Sequence, residues 1–572
     1  GRVIRLGYDA NGNITNVTPP GRPAHGFGFT AVDLEEAYTP PVVTGVPVTT
    51  TQYAYNLDKQ LTRITRPDGQ TIGLAYDAGG RIASRTIPDG TITHGYHAST
   101  GQTASINSSK GINLGYSYDG PLLRNESWTG PVAGTVSRNY NSDLLVSAID
   151  VNGTNIVFGY DDDGLLTQAG DLALTRDGQN GLLIGTALGS VSTSQSYNEF
   201  GETSQFSATQ GGANLLTVAY ARDKLGRIAE KTETLLGELP VTLDYRYDLA
   251  GRLTEVRRDG TIQATYGYDA NGNRLSRSAN GATSSGTYDD QDRLLSYGNN
   301  SYTYSANGEL QTKASGGQTT TYTYDVIGNL TGVSLPGGAT IEYLIDGQDR
   351  RIGKKVNGVS VQGFLYQDRL KPVAELDGSG NVVARFVYGA MDNVPEYLIK
   401  GSTAYRIISD HLGSPRLIVN TGNGNVEQRL DYDEFGNVTL DSNPGFQPFG
   451  FAGGLYDRDT RLVRFGARDY DPETGRWTVK DPIRFDGWDS NLYGYVNGNP
   501  VRWVDPSGLA ATTKPVIPAA VRDYLLKSCA QAPESCKIIG KKIEIDLGVP
   551  EECSKIPKDY KSNPYATRGH VR

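Results

Sequence analysis

The first 528 of the 572 residues contain no cysteine, so nothing upstream of Cys529 depends on a disulfide. Methionine occurs once and histidine five times. Charged residues are 20%, too few for a coiled coil or an acidic disordered chain. Hydrophobic residues are 37%, below the ~45–50% of an ordinary globular domain. No apolar run approaches ~18 residues, so no spanning helix is expected. The opening residues, Gly1-Arg2-Val3-Ile4-Arg5, are no signal peptide. They read as the middle of a repeat, and the chain is expected to be N-terminally incomplete. What is abundant is 71 glycines and 35 tyrosines. That excess points to many short strands and tight turns, and away from packed helices.

Charge is divided unevenly. Residues 510–572 carry 11 Lys/Arg and 7 Asp/Glu, a balance of +4. Residues 1–509 carry 43 Lys/Arg and 56 Asp/Glu, a balance of −13. All three cysteines, Cys529, Cys536 and Cys553, fall in the basic segment. The two shifts together predict a domain boundary near 510.

The dipeptide Tyr-Asp recurs along the chain, at 76, 118, 160, 247, 268, 288 and 324 among others. Tyr55, Tyr76, Tyr96 and Tyr118 step by 21, 20 and 22. Tyr245-Arg246-Tyr247-Asp248-Leu249-Ala250-Gly251-Arg252-Leu253 shows the full unit. Tyr-x-Tyr puts two rings on one face of a strand, because side chains alternate. The Asp carboxylate opens a turn by accepting backbone N–H groups further on. The Gly supplies the positive φ of a tight hairpin. Each unit of about 20 residues is therefore a hairpin that cannot bury its own face, and stacking units makes one continuous sheet. The recurring tyrosines read as packing residues; a sugar-binding surface is the competing reading.

These units resemble the YD repeats of Rhs proteins, insecticidal Tc-toxin C components and animal teneurins, over residues 1 to about 509. The resemblance implies a mainly β fold, with hairpins forming a spiralling, shell-like sheet. From about 396 the repeats become irregular. Asp410-His411-Leu412-Gly413-Ser414, Phe465-Gly466-Ala467-Arg468-Asp469-Tyr470-Asp471-Pro472 and Lys480-Asp481-Pro482-Ile483 follow in order. The set closes with Asp505-Pro506-Ser507-Gly508-Leu509. It resembles the Rhs-associated core. The expected division is 1–395 repeat shell, 396–509 core with an autoprotease site, and 510–572 a variable, toxin-like tail.

The core resemblance implies an aspartic protease that acts once on its own chain, after the signature leucine. The bond would be Leu509–Ala510, and the matching residues are Arg468, Asp481 and Asp505. Two neighbouring carboxylates suit peptide hydrolysis, because close carboxylates do not both ionise easily. One then serves as acid toward the carbonyl and the other as base toward water. An arginine can hold one of them charged. Asp469, Asp471, Asp486 and Asp489 are rivals on residue type alone. His411 and Ser414 read as a turn rather than a catalytic pair. Trp477, Trp488 and Trp503 are expected to pack, one of them lining the cleavage site. Because the core segment is local, cleavage is expected to proceed even from an open shell.

In the tail, 513–518 reads as a linker, 519–530 as an amphipathic helix and 538–549 as a strand. A core of ~60 residues is marginal without staples. The cysteines would allow one disulfide and a spare thiol, and their spacing fits no zinc pattern. No cofactor or metal is expected. Arg568 and His570 are the only pair there resembling a phosphate-cleaving set, and the +4 leaves nucleic acid open as a target of the tail alone. The family further implies a bacterial, secreted or surface-delivered effector. Its partners would be its own encapsulated tail, a secretion machinery (type VI or similar) and an immunity protein. The alternative is a cell-surface interaction or glycan-binding shell without a toxic tail.

Overall fold

The computed structural model describes residues 2–43, 50–391, 393–513, 536–539 and 542–545. The chain forms two compact units, 1–516 and 517–572. The first holds a 42-stranded antiparallel sheet. Its strands pair in chain order, Arg5–Tyr8 with Ile14–Thr18 at the start and Val426–Tyr432 with Val438–Asp441 at the end. The only helical elements among the described residues are short 3-10 turns.

The hairpin at Tyr76 shows why the repeat folds as it does. Asp77 Oδ1 accepts the N–H groups of Gly79 (2.9 Å) and Arg81 (3.0 Å). Gly80 sits at φ +76°, where other residues are strained. The Arg81 Nε donates to Asp77 Oδ2 at 2.8 Å. The register slips by one residue between Ala75 and Tyr76, a bulge that increases local twist. Asp248, Gly251 and Arg252 repeat the arrangement, with the N–H of Ala250 at 2.9 Å and that of Arg252 at 3.0 Å.

The tyrosines join one hairpin to the one before it. Tyr76 Oη donates to the carbonyl of Leu61 (2.7 Å), Tyr96 to Ile82 (2.8 Å) and Tyr247 to Ile228 (2.8 Å). The turn arginine of one unit stacks on the tyrosine of the next: Arg81 on Tyr96 at 4.2 Å, Arg252 on Tyr268 at 4.9 Å. These rings are committed to the sheet, as packing requires.

The strip coils on itself. Arg22 bonds Asp292 (2.5 Å), 270 positions on. Arg85 forms a bidentate pair with Asp349 (3.0 and 2.9 Å). Ser190 Oγ donates to Thr421 O (2.9 Å), and Arg416 holds both oxygens of Glu233 at 2.8 Å. The apolar core lies between the coils: Leu114, Trp128, Val136 and Val151 pack with Ile352, Phe364 and Leu365.

The ladder runs unbroken past residue 396 to Asp441. Beyond it, Leu455–Asp457, Leu462–Phe465, Arg468–Asp471 and Arg476–Trp477 form a small antiparallel sheet. Phe451, Phe465, Tyr470, Trp477 and Tyr495 pack around it. In the second unit, Cys536–Ile539 pairs with Lys542–Ile545. Ile538 therefore belongs to the partner of the strand expected over 538–549. The expected helix over 519–530, Cys529, Cys553, Arg568 and His570 lie outside the described residues.

Candidate functional site

The site is assembled from three pieces of backbone. Arg468 opens the third strand of the small sheet. Asp481 lies before the Arg484–Gly487 3-10 turn. Asp505 follows the strand Trp503–Val504, which pairs with Thr512–Thr513. Asp505 to Ala511 thus form the loop of a small hairpin, and the expected bond lies in it.

One guanidinium nitrogen of Arg468 reaches both carboxylates, Asp481 Oδ2 at 2.9 Å and Asp505 Oδ2 at 3.3 Å. Its Nε donates to the carbonyl of Gly508 at 2.5 Å. Arg468 is buried, and its guanidinium lies 4.2 Å from the Trp477 ring centre. Of the three tryptophans expected to pack, Trp477 is buried beside Arg468. Trp503 is half-buried against the aromatic core. Trp488 corrects the packing expectation: it is 91% exposed at φ +62°, directed outward by the left-handed end of the 484–487 turn.

Asp505 Oδ1 accepts the amide of Leu509 (3.1 Å), the amide of Ala510 (3.2 Å) and the Ser507 hydroxyl (2.9 Å). The Ala510 amide is the nitrogen of the expected bond. Gly508 sits at φ +66°, and a Cβ there would lie 2.4 Å from the Phe465 carbonyl oxygen. Gly466 is equally confined, 2.2 Å from the Ser507 carbonyl oxygen on the same measure. Only glycine permits that approach of two backbones. Asp505, Ser507 and Gly508 of the Asp-Pro-Ser-Gly-Leu string each have a structural role.

Burial pushes the Asp481 carboxyl up to about 7, against the opposing pull of Arg468, with Asp505 and Asp489 adding to the rise. Among the rival aspartates, Asp469 is taken by Arg351 (2.9 Å) and Arg464 (3.0 Å). Asp471 accepts the Thr474 hydroxyl at 2.9 Å. Asp489 accepts the Asn491 amide at 2.9 Å, and burial raises it to about 6. Asp486 lies within the 3-10 turn. His411 and Ser414 stand in an Asp410-centred turn and face different partners. The His411 Nε2 donates to Val501 O (2.7 Å), and Ser414 Oγ accepts the Ala452 amide (3.0 Å). No cluster of His, Cys, Asp and Glu suited to a metal occurs among the described residues.

A coiled strip of YD hairpins, closed by a compact core, is the architecture of a YD-repeat shell. The chain belongs to the Teneurin YD-shell family, whose model matches residues 1–501. It is 27% identical to teneurin-3 of Danio rerio over 481 residues, 78% of this chain and 17% of that protein. It is 30% identical over 190 residues to the tRNA3(Ser)-specific nuclease WapA of Bacillus spizizenii, 32% of this chain and 8% of that one. A Tc holotoxin pore structure of Photorhabdus luminescens, containing a TccC3 variant, matches with a TM-score of 0.74 at 16% identity. That match covers 89% of this chain and 30% of the other. This chain therefore spans a minor part of each relative. No helix of the described residues is long and apolar enough to cross a membrane.

Proposed function

We propose that this chain is a self-cleaving YD-repeat shell of the polymorphic-toxin type. The shell encloses the segment beginning at Ala510, and cleavage of Leu509–Ala510 frees that segment within it. The observation that carries the reading is the Asp505 carboxylate, 3.2 Å from the Ala510 amide nitrogen and joined through Arg468 to Asp481.

Protonated Asp481 hydrogen-bonds the Leu509 carbonyl oxygen and gives it the proton as negative charge develops there. Asp505 takes a proton from water as its oxygen attacks the carbonyl carbon. The tetrahedral intermediate collapses and the C–N bond breaks. Asp505 returns its proton to the departing Ala510 nitrogen, and Asp481 regains the proton it gave. Arg468 holds both carboxylates and, through Gly508, the strand entering the site. Trp477 covers the guanidinium and keeps water from it.

The likeness to a Tc toxin shell supports encapsulated cargo, and the nuclease named among the relatives supports nucleic acid as the target of the tail. Bacterial export, a secretion machinery of type VI or similar kind, and an immunity protein belong to the same proposal. The teneurin relatives favour a second reading, a cell-surface interaction or glycan-binding shell, which predicts an uncut chain.

A denaturing gel with intact-mass measurement separates the two. Self-cleavage gives a body ending at Leu509 and a fragment starting at Ala510. Asp505→Asn and Asp481→Asn each slow it by ~100-fold or more, the scale of losing one acid–base group. Cleavage of both variants at the parent rate would overturn the assignment.

A further inference from the structure

We propose that the Arg484–Gly487 turn is a lid over the Leu509–Ala510 bond and that Glu35 is the positioning residue that holds it closed. The inference rests on the self-cleavage reading and adds its regulation: the bond is cut once the first strands of the strip have docked on the core.

The lid lies over the reacting atoms. A Cβ placed on Gly487 would lie 2.8 Å from the Leu509 carbonyl oxygen and 2.9 Å from Asp481 Oδ2. Backbone alone fits between them. Yet the turn has little anchorage of its own. None of residues 484–487 is buried, and Trp488 beyond them is 91% exposed.

The anchorage comes from the far end of the sequence. Arg484 holds Glu35 through both terminal nitrogens, at 2.6 and 2.8 Å, across 449 positions. Its guanidinium stacks on Tyr38 (4.9 Å) and Phe27 (5.3 Å). Phe485 meets the His25 ring edge-on at 5.0 Å. A second tie runs beside Asp481: Lys480 Nζ donates to Gln291 Oε1 (2.9 Å), and Gln291 Nε2 donates to Pro41 O (2.7 Å). Asp481 lies between the two ties. Residues 25–41 therefore bracket the stretch that carries the acid and covers the bond.

A bidentate guanidinium–carboxylate pair sets angle as well as distance, which a single point charge does not. Hydrolysis needs the acid, carbonyl and water aligned within a fraction of an ångström. Without Glu35 the turn keeps its chain connections and loses its orientation. On this proposal cutting reports shell assembly, in contrast to the expectation that the core cuts even from an open shell.

The test follows the uncut fraction over time after pulse labelling in a cell-free translation of the full chain. Glu35→Ala is expected to slow cleavage at least about tenfold, by loss of alignment. The double variant Glu35→Arg/Arg484→Glu, which reverses the pair, is expected to restore most of the rate. Gly487→Ala is expected to slow it further, by wedging the carbonyl away from Asp481. In the uncut Asp505→Asn background, Glu35→Ala should leave the thermal midpoint of the shell unchanged. Cleavage of Glu35→Ala at the parent rate, with Asp481→Asn and Asp505→Asn silent, overturns the lid and leaves self-cleavage standing. A folded double variant that stays as slow as Glu35→Ala also overturns it. Parent-rate cleavage by both Asp variants removes the underlying reaction instead.

Discussion

Asp481 is held in two opposed ways. Arg468 at 2.9 Å favours its charged form, and burial disfavours it more strongly. The result is a carboxyl raised to about 7. The folded value lies above the ordinary one, so the folded chain binds this proton more tightly. That contribution is fully present at low pH and fades as pH rises through about 7. Cleavage that uses Asp481 as its acid should weaken in the same direction. The rate, followed by gel between pH 5 and 9, is expected to fall through an apparent value near 7. A rate that rises across that window would reverse the roles of the two aspartates. The proposed trio was named from the resemblance of its motifs to the Rhs-associated core, since residue type alone left Asp469, Asp471, Asp486 and Asp489 as rivals. That Asp481 would be buried was not legible, because its burial depends on segments that only the fold brings together.

At the scale of the hairpin, turn chemistry was readable from one unit. Asp opens the turn, Gly takes the positive φ, and the alternating tyrosines share one face of the strand. Asp248 satisfies two backbone N–H groups and orients Arg252 over the next tyrosine. Asp248→Ala is expected to destabilise the shell by ~0.5–2 kcal/mol, the scale of losing a side-chain oxygen that caps backbone N–H groups. The urea midpoint, measured in the uncut Asp505→Asn chain, checks this. No shift would mean that water replaces the carboxylate without loss. The links between hairpins were less legible. A Tyr hydroxyl bonding a carbonyl 15 positions back, as Tyr76 does, leaves only its regular spacing as a trace.

At the scale of the molecule, contacts between coils decide the structure. Arg350 is buried, with Glu126 at 2.6 Å and Asp346 at 2.8 Å, and its guanidinium lies 5.0 Å from the Trp128 ring centre. Glu126 belongs to the earlier coil and Asp346 to the later one. Removing the cation leaves two buried carboxylates facing each other. Arg350→Ala is expected to cost ~3–5 kcal/mol, as for other broken buried pairs. Limited proteolysis should then open the seam near Trp128. A protease-resistant variant with the parent urea midpoint would show that the seam is held by apolar packing alone.

The sequence by itself determined the hairpin and the stacking of hairpins into a sheet. These follow from neighbours within a few positions, where backbone geometry, alternation and turn chemistry leave few choices. Tertiary structure decided what touches across hundreds of positions. It set Arg22 on Asp292, buried Asp481, and brought Glu35 to Arg484. Such pairings depend on the twist that every hairpin and bulge adds to the coil. No local pattern carries that accumulated twist, so the partner of Arg484 emerges only when the whole strip is wound.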